Sequence, residues 1–216
     1  FVGGGAVFFS KEPSEAEVLN DTNSELINFY KVAQSKYFDL ERMIISTLHS
    51  RRLHNDANII YTNPHLFDEI KRAWAVWVLS SQSFSSMLDG SWGYDKKGNT
   101  TTQKINNKRN ELAGQQLAIR LQNVQIECAD ALYIIQSRDT ADSFFYCDPP
   151  YFNSNCGHYD GYTDKDFESL LQALSGIYGK FLLSSYPSDL LTRFVNKHKW
   201  SQRTVEQRIS VNKGYG

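Results

Sequence analysis

Short apolar runs alternate with stretches of helical periodicity along this chain. Four of the runs are typical of β-strands, because each is brief, rich in apolar side chains and ended by a polar or turn-forming residue. These runs lie near residues 16–20, 124–130, 143–147 and 180–186, and the last two are expected to be buried strands. A more polar stretch at 199–209 is expected to form an outer strand. Helical patterns follow the runs, so the chain is predicted to be an α/β protein with a doubly wound sheet.

The interval between the first two strands is long and mostly helical. Asn23 or Ser24 can cap a helix at its start, since both side chains accept hydrogen bonds from a first helical turn. Helical spacing continues from residue 35 to about Leu48. A strong helix is predicted from Pro64 to about Ser80, with proline in its first turn, and another from Gln103 to about Leu121.

A segment rich in serine, glycine and aromatic residues, 80–99, interrupts these helices and is predicted to be a loop or hairpin. Aromatic, hydroxyl, amide and basic side chains are the groups that contact phosphates, sugars and splayed bases. The candidate nucleic-acid contacts in and after this segment are Ser83, Phe84, Trp92, Lys96, Lys97, Lys104, Asn107, Lys108 and Arg109. The alternative is a solvated loop followed by a charged helix face.

Three strands are each followed by an aspartate. Ligands bind open α/β sheets at the carboxyl ends of their strands, so Asp21, Asp130 and Asp148 are candidate site residues. Asp21 is placed to accept hydrogen bonds from ribose hydroxyls. Its alternative role is that of an acid at a helix N-terminus, favoured by the helix dipole. Asp130 either lies at the rim of a cofactor pocket or caps the helix that follows it.

The chain opens with a glycine run, Phe1-Val2-Gly3-Gly4-Gly5, and a helix is predicted from about Ala6. Glycines allow a backbone to approach a ligand closely and to adopt positive φ. Such a turn normally follows a buried strand and opens a helix, so we expect a strand upstream of Phe1. As a dinucleotide fingerprint the run lacks its third glycine. The alternative is a plain tight turn.

The run at 143–147 leads into Asp148-Pro149-Pro150-Tyr151, and proline ends a strand because it fixes φ and has no N–H donor. The Asp148 carboxylate and the Pro149 carbonyl can each accept one N–H of a planar amine such as adenine N6, while Pro150 stiffens the turn. Tyr151 can stack on the ring. The alternative is a strand-ending turn with a helix-capping acid.

The chain has 216 residues and a formal net charge of -1, so any nucleic-acid-binding face must be a local cluster. Its three cysteines, Cys128, Cys147 and Cys156, and its five histidines lack metal-site spacing, so neither a zinc site nor a disulfide framework is expected. The sequence has no long apolar span and no signal-peptide pattern, which favours a reducing cytosol.

Taken together, these motifs resemble the Dam-type, alpha-group DNA adenine-N6 methyltransferases. The resemblance implies a Rossmann-like methyltransferase sheet in 1–50 and 122–216, with an inserted, mostly helical target-recognition region at 51–121. It also implies S-adenosylmethionine as cofactor. The implied cofactor-binding residues are Phe1, Gly3, Gly4, Gly5, Asp21, Asp130 and Asp148, and the implied catalytic residues are Asp148, Pro149, Pro150 and Tyr151.

The function implied by the resemblance is site-specific methyl transfer to N6 of a flipped-out adenine in double-stranded DNA. It further implies a cytoplasmic, nucleoid-associated enzyme of bacterial or phage type, without metal or membrane partners, that is monomeric or dimeric. A cognate restriction endonuclease is compatible with it. Two alternatives stay open: methylation of adenine in RNA, and an inactive nucleic-acid-binding module on the same scaffold. Asp148 contradicts the cytosine-N4 branch, whose motif usually begins with serine.

Overall fold

The computed structural model describes residues 1–112, 114–151 and 161–206, and the chain folds as two compact units, Phe1–Ile134 and Ile135–Gly216. The elements of the first unit are α1 (Ala6–Ser10), β1 (Val18–Asn20), α2 (Ser24–Ser35), α3 (Tyr37–Ile45), α4 (Arg51–Thr62), α5 (Glu69–Gln82), α6 (Thr100–Leu112), α7 (Gln116–Leu121), β2 (Gln125–Glu127) and the first half of α8 (Ala131–Arg138). Strands β1 and β2 pair in parallel, with Leu19 opposite Ile126.

Helix α5 is the centre of the first unit and contacts α2, α3, α4 and α6. Its residues 73–79 are all buried, so nearly every face of the helix is apolar. One polar group in this core is satisfied by a neighbour, since Trp74 Nε1 donates to Thr47 Oγ1 at 2.7 Å. Helices α2 and α5 are also joined by an ion pair, in which Arg72 contacts both carboxylate oxygens of Glu25.

The second unit contains the end of α8, β3 (Phe144–Cys147), α9 (Asp164–Ser175), β4 (Lys180–Leu183) and α10 (Asp189–His198). Strands β3 and β4 pair in parallel, so Cys147 lies opposite Leu183. Helix α9 begins with a capping box. The Thr163 hydroxyl accepts from the Asp166 main chain, and the Asp166 carboxylate accepts from Thr163 N at 2.8 Å.

A tight turn before β4 fixes the beginning of both strands of this pair. The carboxylate of Asp139 accepts from Tyr178 N at 2.8 Å and from Gly179 N at 2.9 Å, and Lys180 N donates to Ser143 O at 2.8 Å. A Cβ atom on Gly179 would lie 2.6 Å from Ser143 O. Only glycine fits at position 179, because any side chain would collide with the main chain at Ser143.

Two helix predictions differ from the structure. The helix expected from Pro64 begins at Glu69, because Pro64–Leu66 form a 3₁₀ turn and the Asp68 carboxylate caps α5 by accepting from Lys71 N at 2.9 Å. The helix expected over 103–121 is two helices, α6 and α7. Gly114 has φ of 98° and interrupts the helical path between them.

The expectation that 143–147 and 180–186 form buried strands is wrong in part. Phe144 is 63% exposed and Leu182 is 50% exposed, whereas Cys147 is buried. Successive side chains in a strand point to opposite faces, so an apolar run alone does not show that both faces are covered. The outer strand expected at 199–209 is not formed over 199–206, and its last residues lie outside the described part of the chain.

The architecture is therefore mixed α/β, with helices connecting short parallel strands, as the sequence predicts. The strand runs at 16–20, 124–130, 143–147 and 180–186 each contain a strand of the structure. The doubly wound order and the inserted region at 51–121 remain predictions. Within the described residues, no helix combines the length and the apolar character needed to cross a bilayer.

Candidate functional site

The glycine run forms a tight turn at the beginning of α1. Gly5 N donates to Val2 O at 2.8 Å, and Gly5 has φ of 67°. A Cβ atom on Gly5 would lie 2.8 Å from the Phe9 ring, so this position is closed to larger residues. A Cβ atom on Gly3 or Gly4 would meet nothing within 4 Å. The outer side of the turn is therefore open to a ligand.

The glycine turn is held by hydrogen bonds to its main chain. The carboxylate of Asp21 accepts from Val2 N at 3.0 Å and from Gly3 N at 3.1 Å through one oxygen, and from Asn23 N at 3.0 Å through the other. The Tyr30 hydroxyl donates to Gly3 O at 2.7 Å, and burial raises the pKa of this phenol well above its usual value. Asp21 therefore shapes the turn, and its expected contact with ribose remains a prediction.

The ends of β1 and β2 are joined by one side chain, Asn20. Its amide donates to Ala129 O and accepts from Ala129 N, both at 3.0 Å, while Phe1 N donates to Asn20 O at 2.8 Å. Asp130 caps α8, since its carboxylate accepts from Leu132 N at 2.9 Å. The capping alternative for Asp130 is confirmed, and its place beside a cofactor stays a prediction.

In the second unit, Asp148 follows β3 and its carboxylate is exposed. Two phenols point at it: the Tyr151 hydroxyl donates to Oδ1 at 3.1 Å, and the Tyr146 hydroxyl lies 3.5 Å from Oδ2. The Tyr151 hydroxyl also lies 2.8 Å from Ser184 Oγ, and the rings of Tyr151 and Tyr186 have centroids 4.5 Å apart. Hydroxyl groups and aromatic rings therefore surround one side of the carboxylate.

The electrostatics of this cluster keep the phenols protonated. Burial, assisted by the neighbouring Asp148 carboxylate, raises the pKa of both Tyr146 and Tyr151. Each phenol is thus a hydrogen-bond donor at neutral pH. A carboxylate offers about four acceptor positions, so two phenol contacts leave capacity for a further donor such as an amine.

The expected hairpin is formed in part over residues 82–94. Ser83 and Trp92 form an antiparallel bridge, Phe84 N donates to Ser91 O at 2.7 Å, and Gly93 N donates to Gln82 O at 2.7 Å. Ser83 itself is 7% exposed. Its hydroxyl lies 2.8 Å from His54 Nε2, so the predicted nucleic-acid contact through Ser83 is not supported by this geometry.

Three other predicted contacts also have partners within the protein. Lys108 Nζ donates to Ser80 O at 3.2 Å, and burial lowers the pKa of its ammonium group. Arg109 donates to Asn106 Oδ1 at 2.9 Å. Trp92 stacks on Tyr94, with 5.3 Å between centroids, and lies 4.7 Å from the Arg51 guanidinium carbon. Trp92 and Lys108 therefore contact the hairpin, whereas Arg109 bonds within α6 and to Ile45 O at 3.4 Å.

The remaining predicted contacts are exposed. Phe84 is 65% exposed and follows the bridging residue Ser83; the next residues, Ser85 and Ser86, both adopt left-handed backbone conformations. The other exposed members of the set are Lys96, Lys97, Lys104 and Asn107. Among the residues that the structure describes, no group of three or more His, Cys, Asp or Glu side chains could hold a metal ion.

Comparison with known proteins decides the family. The model of the D12 class N6 adenine-specific DNA methyltransferases matches residues 1–209. The chain belongs to this family. It is 29% identical over 188 residues to the type II methyltransferase M.MjaIII of Methanocaldococcus jannaschii, which covers 77% of this chain and 62% of that protein. It is also 29% identical over 180 residues to the DNA N-6-adenine-methyltransferase of Escherichia phage P1, covering 78% of this chain and 22% of that protein.

For this D12-class chain, sequence reasoning missed the residues that surround Asp148. Tyr146 could have been found, because a side chain two positions earlier in a strand lies on the same face. Ser184 requires the register, since it follows Leu183, which pairs with Cys147 just before Asp148. Tyr186 has no comparable signal in the sequence.

Proposed function

We propose that this protein transfers a methyl group from S-adenosylmethionine to N6 of adenine in double-stranded DNA. Two observations support the proposal: membership of the D12 class, and the geometry at the end of β3. The second carries it. Asp148 presents an exposed carboxylate, backed by two phenols and followed directly by the main-chain carbonyl of Pro149.

The chemical difficulty lies in the adenine amine, whose lone pair is delocalised into the ring. Asp148 and the carbonyl of Pro149 would each accept one N–H of this amine. Both contacts favour a pyramidal nitrogen with its lone pair free to attack. Their contribution depends on fixed placement, and Pro150 together with the Tyr151–Asp148 hydrogen bond restrains the turn.

Tyr151 and Tyr186 would bind the flat face of the base. An adenine inside a duplex is out of reach of the carboxylate, so it must leave the stack. Aromatic rings replace part of the lost stacking energy. Because Tyr151 also bonds Ser184, its ring is held in place before the base arrives.

S-adenosylmethionine fits the first unit through the glycine turn. The open surface at Gly3 and Gly4 allows close approach of a ligand to the main chain. Phe1, Gly5 and Asp21 would complete the contacts on one side, with Asp130 toward the adenine of the cofactor. When bound, the cofactor supplies an electrophilic methyl group on a sulfonium.

The DNA-binding face that we propose consists of exposed side chains of the hairpin, of the loop that follows it and of α6. Phe84 offers an aromatic surface, while Lys96, Lys97 and Lys104 supply positive charge to phosphates and Asn107 a polar group. Ser83, Trp92, Lys108 and Arg109 would act by supporting this face. We assign it to a recognition region at 51–121, inserted into a catalytic domain of 1–50 and 122–216.

The test is a methyl-transfer assay with labelled S-adenosylmethionine on duplex DNA and on RNA of matched sequence, with N6-methyladenine identified by mass spectrometry. We expect label in DNA only, and none with Asp148→Ala. Labelling of RNA alone would replace the DNA assignment. Cofactor and DNA binding without any methyl transfer would favour an inactive nucleic-acid-binding module. Full activity of Asp148→Ala would contradict the mechanism.

A further inference from the structure

The ion pair between Arg120 and Glu17 is connected to α1, the helix that directly follows the glycine turn. Arg120, on α7, donates to both carboxylate oxygens of Glu17, at 2.5 Å and 2.9 Å. The same guanidinium donates to the main-chain oxygen of Phe8 at 3.0 Å and lies 3.6 Å from the centroid of the Phe8 ring. Arg120 therefore ties together α1, the segment before β1, and α7.

Helix α1 transmits this contact to the glycine turn. The helix is only five residues long and begins directly after Gly5, so it has little stability of its own. The Phe8 ring packs against Phe9, with 4.9 Å between centroids, and Phe9 is the residue that a Cβ atom on Gly5 would strike. A shift of α1 would therefore move the glycine turn.

The opposite end of the turn is held separately, by Asp21 and Tyr30. Their hydrogen bonds go to Val2 and Gly3, and the Tyr30 ring lies 6.3 Å from that of Phe9 on α1. Arg120 adds a hydrogen bond to α1 itself, through the main chain of Phe8. The side chains of the pair are shielded from solvent, Glu17 being 8% and Arg120 15% exposed, so the attachment is not a loose surface pair.

We infer that Arg120 is a positioning residue for cofactor binding, which it serves by holding α1 and the glycine turn against α7. The inference rests on the proposed function, in which that turn contacts S-adenosylmethionine. Arg120 does not itself touch the ligand surface at Gly3 and Gly4. Its loss would affect cofactor affinity more than the turnover of bound cofactor, because its hydrogen bonds go to Glu17 and Phe8 and hold the segment that we propose to bind the cofactor.

The chain offers a matched control in the Arg72–Glu25 pair. Arg72 also contacts both oxygens of its carboxylate partner, at 2.5 Å and 2.8 Å, and Glu25 is 8% exposed, like Glu17. The hydrogen bonds of this pair join α2 to α5, and among the described residues none of them goes to α1. Arg→Lys at each position keeps the charge but removes the two-pronged geometry. The two variants thus differ mainly in whether the lost contact leads to the glycine turn.

The experiment measures S-adenosylmethionine binding by calorimetry, and KM for the cofactor together with kcat, for the wild type, Arg120→Lys and Arg72→Lys. All are compared at a temperature where circular dichroism shows them folded. We expect Kd and KM to rise about tenfold for Arg120→Lys, since displacements of about 1 Å can cost up to about 100-fold. We expect kcat to stay within twofold, and Arg72→Lys to match the wild type.

Glu17→Gln provides a second variant if Arg120→Lys folds poorly, because it removes the charge of the partner and keeps a hydrogen-bond acceptor. A rise in Kd for this variant, without one for Arg72→Lys, would support the inference equally. Unchanged Kd for both Arg120→Lys and Glu17→Gln would overturn it, as would equal losses in the Arg120 and Arg72 variants. A wild type that does not bind the cofactor would instead contradict the proposed function itself.

Discussion

The glycine turn and the Asp148 turn each contain an aspartate, but the two carboxylates have different hydrogen-bond partners. In the glycine turn a carboxylate, Asp21, accepts hydrogen bonds from the main chain and thereby sets its shape. In the Asp148 turn the carboxylate is the group that we propose to contact the substrate amine, and the side-chain hydroxyls of Tyr146 and Tyr151 contact it. The same residue type thus serves as a structural acceptor in one region and as an exposed chemical group in the other. Substitutions should separate these two uses.

The largest expected effect is on catalysis at Asp148. Asp148→Asn keeps the size of the side chain but replaces one acceptor oxygen with a donor amide, which would face the N–H groups of the adenine. We expect kcat to fall about 100- to 1,000-fold, as when a transition-state contact is lost. The melting temperature should not change, since Asp148 supports no main-chain hydrogen bond that we describe. Single-turnover methyl transfer measures kcat and calorimetry measures the melting temperature. A large fall in melting temperature would show that Asp148, like Asp21, has a structural role.

Tyr151 tests how far the second region depends on its aromatic ring. Tyr151→Ala removes the ring, and loss of one stacked base contact should lower kcat/KM for DNA by about 10- to 100-fold. Tyr151→Phe keeps the ring and removes only the hydrogen bonds to Asp148 and Ser184, so we expect a smaller loss, of about fivefold or less. Steady-state kinetics on duplex DNA would show this. Equal losses in the two variants would argue against stacking.

Asp21 is expected to behave in the reverse manner to Asp148. Asp21→Ala leaves the N–H groups of Val2, Gly3 and Asn23 without their acceptor, which should destabilise the protein by about 1–3 kcal/mol. The deformed turn should also bind S-adenosylmethionine about tenfold more weakly. Denaturant unfolding and calorimetry are the measurements. If Asp21→Ala lost activity at full stability, Asp21 would be acting on the ligand and not on the turn.

The smallest effect concerns acid stability at Glu17. The hydrogen bond from Arg120 lowers the pKa of this carboxyl from 4.5 to about 2. A depressed pKa means that the folded state binds the proton less readily than the unfolded state, so the stabilisation is present above pH 4.5 and is lost as the pH falls toward 2. The free energy of unfolding should therefore fall less over this range in Glu17→Gln than in the wild type. Identical pH profiles would contradict the assigned pairing.

Much of the arrangement was predictable because strand ends leave local signals. Prolines end β3 at Asp148, and the alternation of short apolar runs with helices predicted the α/β architecture. A cap at Asn23 or Ser24 was also predicted, and the Asn23 side chain accepts from Glu25 N and Leu26 N. These features depend on residues that are close in sequence, where backbone preferences decide the outcome.

Contacts between distant residues were not predictable from composition. Ser83 and Lys108 have the side-chain chemistry of nucleic-acid contacts, yet packing directs them toward His54 and Ser80. The sequence shows what a side chain can donate or accept but not which way it faces. The Arg120–Glu17 pair is 103 residues apart along the chain, and no local pattern connects the two.

The turn at Gly179 affects how the side chains around Asp148 are aligned, although it lies at the opposite end of the β3–β4 pair. The two strands begin where Gly179 meets Ser143 and run in parallel for four residues. The hydroxyl of Ser184 thus reaches Tyr151 only if β3 and β4 begin in the correct register. The beginning of β4 lies about 13 Å from Ser184, at about 3.3 Å per residue. A side chain at position 179 would offset β4 against β3 and misalign Ser184. Inactivating substitutions are accordingly to be expected at a residue remote from any reacting atom.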